Sequence, residues 1–423
     1  MDDFPLQGGV IHCEDVPLPL IAREVRTPVY VYSTAAMQRQ ARVLQSALAP
    51  LDNPLIAYAI KANPNPAVLA TLRAEGLGAD VVSGGEYRRA RAAGIAAEKI
   101  VFSGVGKTAA EMALALEGGL CQFNLESVPE AEMLSGVAFS MGRQAPVALR
   151  VNPDVEAGSH AKISTGAAHN KFGIPIADAL GACARVRELP GLRFMGVAVH
   201  IGSQLTSLAP LEAAFEKLDA LIGELRAAGH DVRTADLGGG LGVAYDPAAP
   251  PPPDPADYGA MVARVTRGWG VRLIFEPGRV IVGNAGVLLT EIIRIKPGGA
   301  HPFVIVDAAM NDLMRPSIYD AWHAIDAVVP NSERMIADIV GPVCETGDTF
   351  ARGRDIDRVE AGELLIIRTA GAYAATMGST YNSRPLAPEV LVNGKEWAIV
   401  RERQDVKALM RGGELPAWFA SAR

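Results

Sequence analysis

At 423 residues the chain is longer than one hydrophobic core usually serves, so two domains are expected. Its composition, 49% hydrophobic and 21% charged with a formal net charge of −7, is that of a soluble globular protein and offers no basic surface for nucleic acid or an anionic membrane. Cys13, Cys121, Cys183 and Cys344 form no CxxC pair, which argues against disulfides and structural zinc, and no metal site is expected.

The opening Met1-Asp2-Asp3-Phe4 lacks a signal-peptide pattern, and no apolar stretch is long enough to span a bilayer. A cytoplasmic location is therefore expected. Residues 28–33 read as a strand, followed by a helix over 34–49. Then one theme recurs: a short apolar run, a turn, and an amphipathic helix. The runs are residues 55–60, 79–83, 100–103, 121–125, 147–151, 195–200, 234–237 and 271–275, with helices predicted over 86–93, 109–117 and 211–228 among others. Strands alternating with helices imply parallel pairing, and eight units suit a closed (β/α)8 barrel, with an open doubly wound sheet as the competitor. The proline cluster 250–253 reads as a long loop between the seventh strand and its helix rather than a linker, because residues 271–275 are still needed for an eighth strand.

From about residue 285 the pattern changes to strands without long helices: 287–295, 303–306, 336–340, 364–369 and 390–400, with Asn393-Gly394 as a hairpin turn. The expected fold class is thus α/β plus β: a TIM-like barrel over 34–280, with 1–33 and 281–423 forming a mostly β domain.

Reactive groups of a barrel enzyme sit where strands end. The first predicted strand ends in Tyr58-Ala59-Ile60-Lys61-Ala62-Asn63, where desolvation can lower the lysine amine pKa and suit it to Schiff-base chemistry. Asp80, ending the second, is read as stabilising a turn rather than as a neighbour of Lys61. The sixth ends in His200-Ile201-Gly202-Ser203-Gln204, where an imidazole can lie over an aromatic ring. The seventh runs into Asp236-Leu237-Gly238-Gly239-Gly240, whose backbone N–H groups can converge on a phosphate. The eighth ends in Glu276-Pro277-Gly278-Arg279, a carboxylate for a pyridine nitrogen and a guanidinium for an anion. Each has a plainer reading: a snorkelling lysine, a structural histidine, a tight turn, a rim ion pair. Jointly they ask for one ligand with an aldehyde, an aromatic ring, a basic ring nitrogen and a phosphate, and pyridoxal phosphate (PLP) has all four.

These stretches, with Arg150-Val151-Asn152-Pro153, residues 160–166, Asn170-Lys171-Phe172-Gly173, Met314-Arg315-Pro316-Ser317-Ile318-Tyr319, residues 341–348 and 371–373, resemble over nearly the whole chain the fold-type III PLP decarboxylases, and within them the diaminopimelate decarboxylase family. The resemblance implies decarboxylation of meso-2,6-diaminopimelate to L-lysine by a homodimer with shared active sites. It gives Lys61 the Schiff base, His200 the stacking position and Glu276 the pyridine nitrogen. Ser203, Gly238, Gly239, Gly240, Pro277, Gly278, Arg279 and Tyr373 would hold the cofactor. Arg279, Arg315, Tyr319 and Tyr373 would meet substrate, its carboxylates above all. In Gly341-Pro342-Val343-Cys344-Glu345-Thr346-Gly347-Asp348, Cys344 would be the proton donor and Glu345 the reader of the distal amine, both from the partner chain. Thr346 stands where the family often has Ser. Decarboxylases of ornithine, arginine or lysine share the barrel motifs and are the alternative; a racemase and a non-catalytic PLP carrier fit less well.

Overall fold

The computed structural model describes residues 2–156, 161–163, 165–166, 170–411, 413 and 415–420. Of the motif residues, His160 and Ser164 lie outside the described residues. The chain divides into two compact units: Thr34–Ala285 with Gly371–Tyr373, and the remainder, up to Ser33, Gly286–Ala370 and from Ala374 onward.

The first unit is a closed barrel. Its strands are β1 (Leu55–Ala59), β2 (Gly78–Val81), β3 (Ile100–Phe102), β4 (Gln122–Leu125), β5 (Ala145–Asn152), β6 (Leu192–Val199), β7 (Thr234–Asp236) and β8 (Arg272–Phe275). Each pairs in parallel with the next, and β8 returns to β1 through Ile274↔Leu55 and Phe275↔Ile56, which excludes the open sheet. Most of these strands are buried along their whole length, as expected of parallel strands covered on both faces, and for that reason they read as unbroken apolar runs. Helices start at side-chain caps: Asn65, Ser83, Thr108, Ser127 and Asp254 each accept a first-turn backbone N–H. The prolines at 250–253 do lie in the loop between β7 and the helix Pro255–Val265.

The barrel interior is graded from apolar to polar. Leu55, Ala57, Val101 and Ile274 form an apolar plug. Farther along the strands, Gln122 and Asn124 on β4 and Thr234 and Asp236 on β7 point inward at period two, and all four are buried. The unit runs past the expected boundary at 280 to Ala285 and takes in Gly371–Tyr373. Backbone hydrogen bonds explain the latter, Gly371 N donating to Gly283 O (3.0 Å) and Tyr373 N to Ala62 O (2.8 Å).

The second unit is mostly β. Val29–Ser33 pairs antiparallel with Gly286–Lys296 and parallel with Glu389–Asn393, so the N-terminal segment joins the C-terminal sheet. Alternate residues Val29/Val31, Val287/Leu289 and Val390/Val392 share one core. The hairpin turn is one residue later than expected: Asn393 pairs with Glu396, and Gly394 (φ +60°) and Lys395 form the loop. Strands Ile325–Ala327 and Thr349–Asp357 were not anticipated from the sequence. Among the described residues no helix is long and apolar enough to cross a membrane.

Candidate active site

At the C-terminal ends of the barrel strands lies a cavity of about 380 Å³, whose lining includes Lys61, Asn124, Arg150, His200, Asp236 and Glu276. Lys61 sits in the short 3-10 turn Ile60–Ala62 after β1. Its neighbours Ile60 and Ala62 are buried, which holds the turn while the half-buried lysine projects. Nζ donates to Asp80 Oδ2 at 2.7 Å, and the other Asp80 oxygen is buried with no hydrogen-bond partner. The expected lowering of the amine pKa is therefore corrected. Burial opposes the charge, but the Asp80 carboxylate outweighs it and holds the free amine as an ammonium. Asp80 is correspondingly a partner of Lys61 and not merely a turn residue.

His200 follows β6. Gly239 N donates to its Nδ1 at 3.2 Å, so the ring proton belongs on Nε2. Burial, then Arg150 and Lys61, push the imidazole well below its ordinary value, and it is neutral. Arg150 is itself held by Glu126 (2.7 Å) and lies over the Phe172 ring (4.9 Å). The motif around Arg150 is visible in the sequence, but this task of the residue is not.

The glycine turn after β7 is not a set of three free donors. Gly238 N is taken by Asp236 Oδ1 (2.9 Å) and Gly239 N by His200, while among the described residues no acceptor meets the Gly240 N–H. What demands glycine is close approach. A Cβ on Gly239 would lie 2.2 Å from the Glu276 carbonyl oxygen, and one on Gly240 (φ +126°) 2.7 Å from Gly202 O. Gly239→Ala is expected to part the ends of β7 and β8, destabilising the protein by about 1–3 kcal/mol. Measured by retained cofactor absorbance after dialysis, the variant should lose PLP that the wild type keeps.

Beside this turn Arg279 opens the short helix Arg279–Val282 and is buried. Its Nη2 donates to Ser203 Oγ (3.1 Å), its Nη1 to the Tyr245 hydroxyl (2.5 Å), and its guanidinium lies 4.7 Å from the centre of the Tyr373 ring. Arg279 Nε has no hydrogen-bond partner, and among the described residues no carboxylate pairs with this cation. A buried arginine with a spare donor, two hydroxyls and a glycine N–H nearby forms a corner that suits a phosphate.

In the cavity lining, Glu276 Oε1 accepts from Ser103 Oγ (3.0 Å) and Asn124 Nδ2 (3.2 Å). The same amide donates to Asp236 Oδ2 (2.8 Å), and its oxygen accepts from Gln122, which in turn accepts from Thr234. Burial, then Asp236 and Asp80, raise the Glu276 carboxyl well above its ordinary value, and of the pair it carries the proton; burial raises Asp236 as well, but the donors from Asn124 and Gly238 oppose that rise and leave it the charged partner. Ser103, Asn124 and Asp236 escaped the sequence reading as site residues, although each is a polar residue at the end of an apolar run.

The remaining candidates belong to the second unit. Arg315 is buried and begins the helix Arg315–Tyr319, while Tyr319 is half-buried. Cys344 and Glu345 are exposed. Their loop is braced by Asp348, whose carboxylate accepts from Val343 N and Met310 N, both at 2.6 Å. The Tyr381 hydroxyl hydrogen-bonds Glu345, which raises its pKa, and this residue too was missed.

The family described as pyridoxal-dependent decarboxylase, pyridoxal binding domain, matches residues 34–283. A diaminopimelate decarboxylase of Zymomonas mobilis is 56% identical over 421 residues, covering 99% of this chain and all of that relative. One of Neisseria meningitidis is 48% identical over 404 residues, 95% of this chain and 98% of the relative. The chain belongs to the diaminopimelate decarboxylase family. A crystal structure of a member from M. jannaschii in co-complex with L-lysine superposes with a TM-score of 0.94 at 33% identity, covering 98% of both chains.

The family's cofactor is PLP, and the residues at the ends of the barrel strands fit it on their own chemistry. A lysine amine stands at the mouth of β1, an uncompensated buried guanidinium marks a phosphate corner, and a carboxyl held by Ser103 and Asn124 waits for a basic nitrogen.

Proposed function

We propose that the chain decarboxylates meso-2,6-diaminopimelate to L-lysine and carbon dioxide. The observation that carries this reading is the convergence of Lys61, His200, Glu276 and the Arg279 corner on one barrel mouth in a chain so similar to diaminopimelate decarboxylases. When bound, PLP supplies the aldehyde that condenses with an amine and the protonated ring that accepts the electrons freed as carbon dioxide leaves. Lys61 Nζ is the amine that tethers the cofactor, and Asp80 keeps it in place. Ser203, Arg279, Tyr373 and the Gly240 N–H hold the phosphate, Gly238 and Gly239 allow the close approach of the turn, and Pro277 and Gly278 shape the loop. Neutral His200 covers the ring face. Glu276, charged once its proton has passed to the basic ring nitrogen, would orient and stabilise that protonated nitrogen, an electrostatic partner of the kind that often dominates catalysis.

Recognition of the substrate rests on its ends. Arg279, Arg315, Tyr319 and Tyr373 take the carboxylates, and Glu345 takes the distal ammonium. Cys344 Sγ–H gives a proton to the carbon that has lost its carboxylate. A cytoplasmic homodimer carries the activity, each chain lending Cys344 and Glu345 to its partner's barrel.

The test is carbon dioxide release with PLP, offering meso-diaminopimelate, L-lysine, L-ornithine and L-arginine in parallel. Release from meso-diaminopimelate alone, with lysine as product, is expected. Comparable release from ornithine or lysine overturns the substrate. No release from any of them, despite a Lys61-bound cofactor absorbance, makes the protein a carrier. Arg315→Ala should lower kcat/KM for diaminopimelate by roughly 100-fold, the worth of a charge-assisted contact, while PLP stays bound.

A further inference from the structure

Arg315 is aimed by a residue that no motif singled out. His323 is fully buried four residues beyond the helix Arg315–Tyr319, and its Nε2 lies 2.8 Å from Arg315 Nη1. Its Nδ1 lies 2.8 Å from the carbonyl oxygen of Arg368, just past the strand Leu364–Ile367. A carbonyl can only accept, so Nδ1 carries the ring proton and Nε2 presents a lone pair. The guanidinium can only donate, so the two contacts agree on one neutral tautomer. The ring is fixed from behind as well: Arg354 Nη1 donates to the His323 carbonyl at 2.6 Å, and the Arg354 guanidinium stacks 4.0 Å from the Trp322 ring centre. Arg368 itself is tied by its side chain to Asp326 and Asp2.

A carboxylate in the place of His323 would orient Arg315 too, but it would also cancel part of its charge. A neutral imidazole orients the guanidinium and leaves the charge for another anion. We propose that His323 is a positioning residue for substrate specificity, locking Arg315 in the orientation that receives a substrate carboxylate. The inference rests on the reading of Arg315 as a carboxylate-binding residue given above.

Steady-state kinetics of the PLP-loaded enzyme on meso-diaminopimelate test it. His323→Leu removes the acceptor, and KM is expected to rise roughly tenfold or more, with kcat and cofactor content within about twofold of wild type. His323→Gln carries an oxygen able to reach Arg315 and should restore most of the KM. His323→Asn keeps a donor for the Arg368 carbonyl but is too short to reach Arg315, so it should behave like the leucine variant; it decides the matter if leucine prevents folding. A folded His323→Leu or His323→Asn enzyme with wild-type KM overturns the proposal, as does a glutamine variant no better than asparagine. Arg315→Ala run alongside separates the two failures. If it raises KM while the His323 variants do not, the positioning role falls and Arg315 keeps its task; if it too leaves KM unchanged, the reading of Arg315 is what fails.

Discussion

Replacing Lys61 by arginine is expected to leave a folded protein whose decarboxylase turnover is lower by about 10⁴-fold or more, the scale on which loss of a covalent catalytic group acts. Arginine keeps a cation beside the buried carboxylate of Asp80, whose other oxygen has no hydrogen-bond partner. It cannot give up its proton to become the nucleophile, since the guanidinium stays charged throughout the accessible pH range. Lys61→Ala should lose the same turnover and stability besides, because it strands a buried carboxylate without its cation. Breaking such a pair costs up to about 3–5 kcal/mol when both members are buried, and less here because the lysine is half-exposed. Denaturant unfolding of the two variants beside the wild type checks the second claim, and single-turnover carbon dioxide release the first. If Lys61→Arg keeps more than about one per cent of the wild-type turnover, Lys61 is not the tethering amine.

The barrel was legible because its strands are covered on both faces and must be apolar throughout. The same logic explains the strands that were missed. Thr349–Asp357 carries Arg352, Arg354, Asp355 and Asp357, with several of its residues exposed, so no apolar run announces it. Ile325–Ala327 is only three residues long. In the site, Lys61, His200, the glycine turn and Glu276 were legible as the polar residues on which apolar strands end. Their relations to one another were not. Asn124 meets Ser103, Asp236 and Glu276, residues from β4, β3, β7 and β8 or the loops that follow, and only barrel closure brings them together. The error over the Lys61 amine has the same origin: sequence conveys that a strand-end lysine loses water, but not that Asp80 waits 2.7 Å away. His323 shows the limit most plainly, since a lone histidine in a run of mixed residues carries no pattern at all.

Glu276→Gln should stabilise the cofactor-free protein and cripple the enzyme. In the folded protein, burial first, then Asp236 and Asp80, raise the Glu276 carboxyl well above its ordinary value, against the pull of Lys61. In the unfolded chain the same group ionises near its ordinary value, about 4.3. Above that pH the folded state therefore binds more protons than the unfolded one, and the stability present in acid is lost as pH rises toward the folded value. Glutamine is isosteric and cannot ionise, so the loss disappears. The variant should match the wild type in acid and exceed it near neutrality, a difference read from urea unfolding of the cofactor-free protein at a series of pH values. With PLP bound, a protonated ring nitrogen is the cation that repays the buried charge, and an amide oxygen answers it far less well than a carboxylate. Turnover of diaminopimelate should accordingly fall by about 10²–10³-fold, the usual consequence of removing one preorganised electrostatic partner. A variant that is no more stable than wild type at neutral pH would mean that Glu276 is charged in the empty site and that Asp236 holds the proton instead. One that keeps full turnover would remove Glu276 from the chemistry altogether.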